Sequence, residues 1–423
     1  MAHRLEAVAG GDLHLVTDVD VISAESLGAG DLKIREAGDV TLERVVNSDG
    51  AVRVVANGDI LASDVQSHPG TSDSFVGLAS STGNVSVGNV QADATDGQVS
   101  ISAAGEIIDA DANEQIDVTA GVVFMNAGGN IDVDVDAIEL YSFMDGEDIR
   151  IQADSSLDLF LETDANINVT AVGDIRASHI VTTGRNVLLT SSDGDVNLGT
   201  VASTNRNGRI RVLAGGTDGS GNIIQDATRE NGDVNRLFAE NTINLRADGD
   251  IQIEGEVSSN WFVNLRAEGD VQVAGEVTST PYVDIRAEGD IQIGGEVSST
   301  GIVDLRADGD IEIEGEVSST WSVDLRAKGD LSLTGSIATE RQDVNLRAEN
   351  ELNLGPDALV ESGNSTRLNT RFGNIGVFGS IFAGLLGKFT TLGNIKVDAG
   401  AEADVADAEL DALGRVTVIE RQR

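Results

Sequence analysis

Cysteine is absent from this chain of 423 residues, which removes disulfides, thiolate metal sites and thiol nucleophiles together. Proline occurs three times and aromatic residues make up 3%, few of the large rings that dominate ordinary cores. His3, His14, His68 and His179 are scattered without metal-ligand spacing, and no Ser-His-Asp order, phosphate-binding glycine loop or zinc motif is present. Long apolar runs are missing as well. The longest, Ile375 to Leu386, is broken by Gly376, Gly379 and Gly384 and falls short of the roughly 20 residues that span a bilayer, so no membrane insertion is expected. Met1 to Asp12 shows no basic segment followed by an apolar run, the mark of a secretory signal. Export by another route, or an internal piece of a larger protein, is the expectation.

Positive charge is scarce. Against 71 Asp and Glu stand 28 Lys and Arg, a formal charge of −43, which excludes direct binding to nucleic acid or to an anionic membrane surface. A charged partner is then a cation or a basic surface. Only Lys33, Lys328, Lys388 and Lys396 are lysines. With 40% hydrophobic residues the chain buries a core, unlike a disordered acidic tail.

What the chain has in abundance is glycine, 49 in all, and it recurs with a period. From Leu245 to Thr334 the sequence repeats every 20 residues: LRADGDIQIEGEVSSNWFVN, LRAEGDVQVAGEVTSTPYVD, IRAEGDIQIGGEVSSTGIVD, LRADGDIEIEGEVSSTWSVD, then LRAKGDLSLTGSI. Within a coil Val263, Leu265 and Ala267 alternate with Asn264, Arg266 and Glu268, the period of a strand with one buried face. After the Gly-Asp corner, Val271 and Val273 face inward in a second short strand. Glu276-Val277 then leads into a Thr278-Ser279-Thr280 corner. A glycine inside every coil and the β-branched residues exclude helix. A unit this small cannot bury its apolar face alone, whereas stacking at about 4.8 Å joins the faces into one core.

The expected fold is therefore all-β, a single-domain parallel β-solenoid with coils of about 20 residues. Looser Gly-Asp and Gly-Asn punctuation, from Gly11-Asp12 to Gly393-Asn394, extends it over irregular coils at 1–240, regular coils at 241–350, and C-terminal coils with a possible cap at 351–423. About 20 coils at the sheet spacing make a rod on the order of 100 Å. Phe372 to Phe389 reads either as a short helix or cap, or as a locally thick coil core.

With their GDI-x-I and V-D-L-R-A elements, these coils resemble those of filamentous-haemagglutinin-type adhesins and the large β-strand-repeat exoproteins of bacteria. The resemblance covers nearly the whole chain at the level of repeat type. It implies a right-handed β-helix, exported and displayed at the bacterial cell surface or outside the cell, acting in adhesion or as a stalk. The Asn-Pro-Asn type of secretion-domain signature and the Gly-Gly-x-Gly-x-Asp calcium nonapeptide of toxin repeats are not in this sequence.

Stacking turns each sequence column into a ladder. Arg246, Arg266, Arg286, Arg306 and Arg326, flanked by acids two residues away on either side, are expected to form a surface ion-pair network that holds register. Asp250, Asp270, Asp290, Asp310 and Asp330 follow the corner glycines. They read as turn formers, with a calcium ladder as the alternative because stacked carboxylates repel unless neutralised. No other cofactor is expected. Trp261, Tyr282 and Trp321 are candidates for stacking on sugar rings or for covering a coil edge. The acidic run Asp132, Asp134 and Asp136 reads as the solvated face of one strand.

Near-identical coils suit a scaffold, because catalysis needs unlike groups with separated pKa values. The expected function is a non-catalytic structural or adhesive segment of a secreted or cell-surface exoprotein, with host or environmental glycans, surface receptors or end-to-end copies as partners. The alternatives are a glycan-binding or polysaccharide-degrading solenoid, which would show clustered unlike carboxylates between Asp64 and Asp226, and a self-assembling filament subunit.

Overall fold

A computed structural model describes residues 3–68, 74–111, 115–144, 148–216, 221–228, 234–383, 395–399, 403–405, 409–412 and 415–420. The chain divides into two compact units, Met1–Gly208 and Arg209–Arg423. Within each, the described residues form strands and turns and no helix.

In the second unit a coil carries three strands, for example Phe262–Ala267, Val271–Val273 and Glu276–Ser279. These pair in parallel with Tyr282–Ala287, Ile291–Ile293 and Glu296–Ser299, and every residue meets its counterpart one repeat later. The unit is a parallel β-solenoid with the predicted repeat. Its inward residues Val263, Leu265, Ala267, Val271, Val273 and Val277 are all fully or almost fully buried. Each Val, Leu or Ile so buried contributes roughly 1.5–3 kcal/mol before the cost of ordering the chain. A slip of one residue along any of these strands would turn that set out to water.

One boundary differs from the sequence reading. Thr278 and Ser279 belong to the third strand, with Ser279 turned inward, and the chain bends only at Thr280-Pro281. The reason is a hydroxyl turn inside the corner: Ser259 Oγ accepts the Trp261 N–H at 3.3 Å and Ser299 Oγ accepts the Gly301 N–H at 3.0 Å. At Ser279 the corresponding residue is Pro281, which has no N–H, and at Ser319 the Trp321 N–H goes to the Gly301 carbonyl instead, so the buried Ser279 and Ser319 hydroxyls are both left without a partner.

Looser coils continue through Val344–Ala348, Thr366–Thr370 and Ile395–Ala399. The segment read as helix, cap or thick coil begins as a turn followed by the strands Ile375–Val377 and Ser380–Ala383. Its remainder, 384–389, lies outside the described residues.

The first unit is also a parallel β-solenoid, with coils of uneven length. Ile131–Met144, 14 residues long, pairs with Asp148–Ala153 along its first part and with Leu157–Thr163 along its second, so one bent strand serves two faces. Elsewhere Ile175–Thr182 pairs with Val196–Ser203, while Asn166–Ala171 pairs with Asn186–Ser191. Corners made by continuous strand in some coils and by glycine turns in others explain why the repeat is irregular here.

Candidate functional site

The corner aspartates are the best-defined constellation. Asp250 Oδ1 accepts the backbone N–H of Asp270 at 2.8 Å, Asp270 that of Asp290, Asp290 that of Asp310 and Asp310 that of Asp330, each at 2.7 Å. The chain of bonds starts at Asn222 Oδ1 and runs on to the Glu351 N–H. The preceding glycine is required by the same contact. A Cβ on Gly269, Gly289, Gly309 or Gly329 would overlap the Oδ1 of the aspartate one coil earlier. Gly-Asp is thus a two-part joint: glycine leaves the socket and aspartate supplies the plug for the next coil. The first unit repeats it with Asp39, Asp59 and Asn84, whose side-chain oxygens accept the N–H of Asp59, Asn84 and Glu106.

On the neighbouring face the arginines stack in register from Arg246 through Arg266, Arg286, Arg306 and Arg326 to Arg347. Arg286, Arg306 and Arg326 each fold back onto the aspartate two residues earlier, Asp284, Asp304 and Asp324. Arg246 reaches forward to Glu268 of the next coil at 3.3 Å. Beside Arg266 the column is amide, with Asn264 Nδ2 donating to Asn244 Oδ1 at 2.8 Å. The buried Asp304 carboxylate also accepts the Tyr282 hydroxyl at 3.1 Å. Hydrogen bonding to it raises the Arg306 pKa. Burial, followed by the charges of Asp304 and Asp284, pushes the Tyr282 hydroxyl up to about 12.

The three candidate sugar-stacking residues are only partly gathered. Trp261 packs against Phe262 at 5.7 Å between ring centres, and Phe262 meets Tyr282 edge-on at 6.2 Å. Trp321 stands further along the unit, past Pro281 and Gly301. Trp261 and Trp321 are 53% and 46% exposed, and Phe262 and Ile302 add to the same apolar patch. On a separate face a hydroxyl-lined hollow of ≈ 490 Å³ contains Ser258, Thr278, Ser298 and Ser318 with Glu256 and Glu296 at its margin. Glu276 in that acidic column has its pKa raised by burial and then by Glu296 and Glu256.

Two features of the first unit were not foreseen. Phe124, Tyr141 and Phe160 form a stack, with ring centres 4.9 and 4.6 Å apart and planes within 16° and 7°. They occupy one outward column, followed by His179, whose Nε2 lies 2.9 Å from Glu162 Oε1. The second is a carboxylate trio: oxygens of Asp109, Asp111 and Asp117 lie within 4.8 Å of one another, a spacing that could hold a cation. Asp117 is 2% exposed and accepts the Asp134 N–H at 3.1 Å. Burial, reinforced by the charges of Asp109, Asp134 and Asp111, pushes its pKa up to about 7.

In the acidic run, Asp132 pairs with Arg150 at 3.2 Å and Asp136 accepts the Ser155 hydroxyl at 2.7 Å. Those contacts are side-chain bonds between coils, added to the backbone ladder. No protein-family model, no curated protein and no solved structure matches this chain.

Proposed function

We propose that this chain is a structural and adhesive β-solenoid segment of a secreted or cell-surface bacterial exoprotein, of the kind built from filamentous-haemagglutinin-type repeats, and that it contacts glycans rather than transforming them. The observation that carries this reading is the in-register repetition of outward columns in the second unit, in which three successive guanidinium groups are held by the aspartate beside them. Such columns hold register and resist change, whereas a catalytic centre needs unlike groups converging on one point. The exposed patch of Trp261, Phe262, Ile302 and Trp321 supplies the adhesive surface. Beads coated with the full chain should be retained under flow on a glycan-coated surface, and the Trp261→Ala/Trp321→Ala variant should lose that retention with its melting temperature unchanged. Equal retention of both proteins on every glycan tested would refute the adhesive role of the patch.

The carboxylate trio favours a second reading, a polysaccharide-degrading solenoid, because a carboxyl group whose pKa is raised by burial beside two further carboxyl groups is an arrangement glycosidases use. Burial of Asp117 weighs against it, since a general acid must touch the glycosidic oxygen. Release of reducing ends from neutral or acidic polysaccharides, abolished by Asp117→Asn, would establish that reading and overturn the first.

A further inference from the structure

The rule that each ladder arginine is neutralised by its neighbours fails at Arg266, which stands beside amides with Glu268 taken by Arg246, and again at Arg347, where the coils that follow are basic as well. Two residues before Arg347 stands Asn345 where Asp284, Asp304 and Asp324 stand in earlier coils. Two residues after it stands Glu349, whose carboxylate is taken by Arg371 at 3.1 Å. Arg347 is exposed and has no ion-pair partner among the described residues. In the next coils the column that held acids becomes Arg367 and then Lys396.

These groups surround a hollow of ≈ 490 Å³ lined by Arg326, Arg347, Arg367 and Lys396, the amides of Asn345 and Asn369, and the carboxylates of Asp324 and Asp398. Both carboxylates are already engaged, Asp324 by Arg326 and Asp398 by Lys396 at 2.9 Å. Arg367 is held only at 3.8 Å, by Asp343. An adjoining hollow continues the basic strip through Arg415. The sign of the surface is therefore inverted locally in a chain of formal charge −43.

We infer that this hollow is a binding site for the carboxylate of an acidic saccharide, with Arg347 as its main anchor and Arg367 beside it. A planar guanidinium matches a carboxylate through two parallel N–H donors, and the two asparagine amides supply further polar contacts for neighbouring hydroxyls. The field of the whole chain restricts the ligand. A polyanion is repelled by the surrounding acids over a Debye length of about 8 Å at physiological salt, so a glycan with one carboxylate on an otherwise neutral body is preferred. The site is separate from the Trp261 patch, and its failure would leave that reading standing.

The test is a calorimetric titration of the full chain with sodium glucuronate, with glucose, sodium sulfate and polygalacturonate as comparison ligands. Glucuronate should bind saturably and glucose should not. Arg347→Ala should weaken glucuronate at least about tenfold, the loss expected for a hydrogen-bonded charge. Arg347→Lys, which keeps the charge and loses the fork, should fall between, and Arg266→Ala should bind like the parent. A matching circular dichroism spectrum and melting curve separate loss of the site from loss of the fold. Polygalacturonate should bind more weakly per carboxylate than glucuronate at low salt. Absence of saturable glucuronate binding, an unaffected Arg347→Ala variant, sulfate binding as tightly as glucuronate, or tighter binding of the polyanion at low salt would each overturn the assignment.

Discussion

Replacing Gly289 by alanine puts a methyl carbon where Asp270 Oδ1 now sits, with the Asp270 Cγ and the Gly269 carbonyl carbon each 3.1 Å away. The carboxylate must swing out, and its 2.7 Å bond to the Asp290 N–H is lost. A hydrogen bond to a charged group contributes about 1.5–3 kcal/mol, and fitting the methyl against Gly269 adds about 1 kcal/mol of overpacking. Reduced freedom of alanine in the unfolded chain returns about 0.4–1 kcal/mol, so the net loss is about 2–3 kcal/mol. Asp270→Ala removes the same bond without the clash and should cost about 1–2 kcal/mol, since water can reach the half-exposed corner. The double variant should then be little worse than Gly289→Ala alone, a coupling of about 1–2 kcal/mol in the cycle. Gly295→Ala is the contrast: its methyl would overlap the backbone carbonyl oxygens of Gly275 and Ala274, which cannot rotate away, and it should cost more than about 4 kcal/mol with no rescue by any side-chain deletion. Long repeat arrays need not unfold in one step, so the readout is amide exchange at Asp290, which should speed up about 30-fold for a 2 kcal/mol loss. Strictly additive effects of Gly289→Ala and Asp270→Ala, or a Gly289→Ala as damaging as Gly295→Ala, would refute the joint.

Asp117 sets a pH dependence whose sign is opposite to that of a paired carboxylate. Its folded pKa, about 7, lies above the ordinary 3.8, so its contribution is intact below about pH 4 and is lost as pH rises through 7, by about 4 kcal/mol. Asp117→Asn should therefore raise the melting temperature at pH 8 in chelator and leave it nearly unchanged at pH 4; no gain at pH 8 would contradict this. Arg306→Ala strands the buried Asp304 carboxylate and should destabilise the second unit by about 2 kcal/mol, whereas Arg246→Ala breaks an exposed pair and should stay within about 0.5 kcal/mol; denaturant midpoints compare the two. Ser299→Ala should cost about 1 kcal/mol through the lost Gly301 bond, while Ser279→Ala, which removes a hydroxyl without a partner, should be neutral or slightly stabilising.

The period of 20 residues made the strands, their parallel pairing and the inward residues of the second unit readable directly, because in a solenoid translation along the sequence is translation along the stack. The Gly-Asp dipeptide was equally visible, but its cause was not. The glycine answers to the aspartate of the preceding coil, and nothing within one coil shows that. The ring stack of Phe124, Tyr141 and Phe160 escaped notice because coil length in the first unit is uneven, and the step from Phe124 to Tyr141 is shorter than the step from Tyr141 to Phe160. Asp117 looked like any loop acid; its burial comes from packing between neighbouring coils, and only that burial makes it differ from Asp109 and Asp111. Arg347 was hidden by continuity, since the arginine column runs on while its acidic companion changes to Asn345.

The plug-and-socket corner also has a bearing on how such a chain changes length. Asp250 presents to Gly269-Asp270 the same oxygen that Asp270 presents to Gly289-Asp290. Excising residues 270–289 would bring Asp250 against the unchanged Asp290, and every seam would close on a partner of the same shape. Growth and shrinkage by whole repeats therefore require no compensating substitution at the joint, and recombination between coils is tolerated wherever the cut respects this frame. A cut out of frame leaves an oxygen facing a side chain instead of a glycine, so the joint that binds neighbouring coils also polices the length of each insertion.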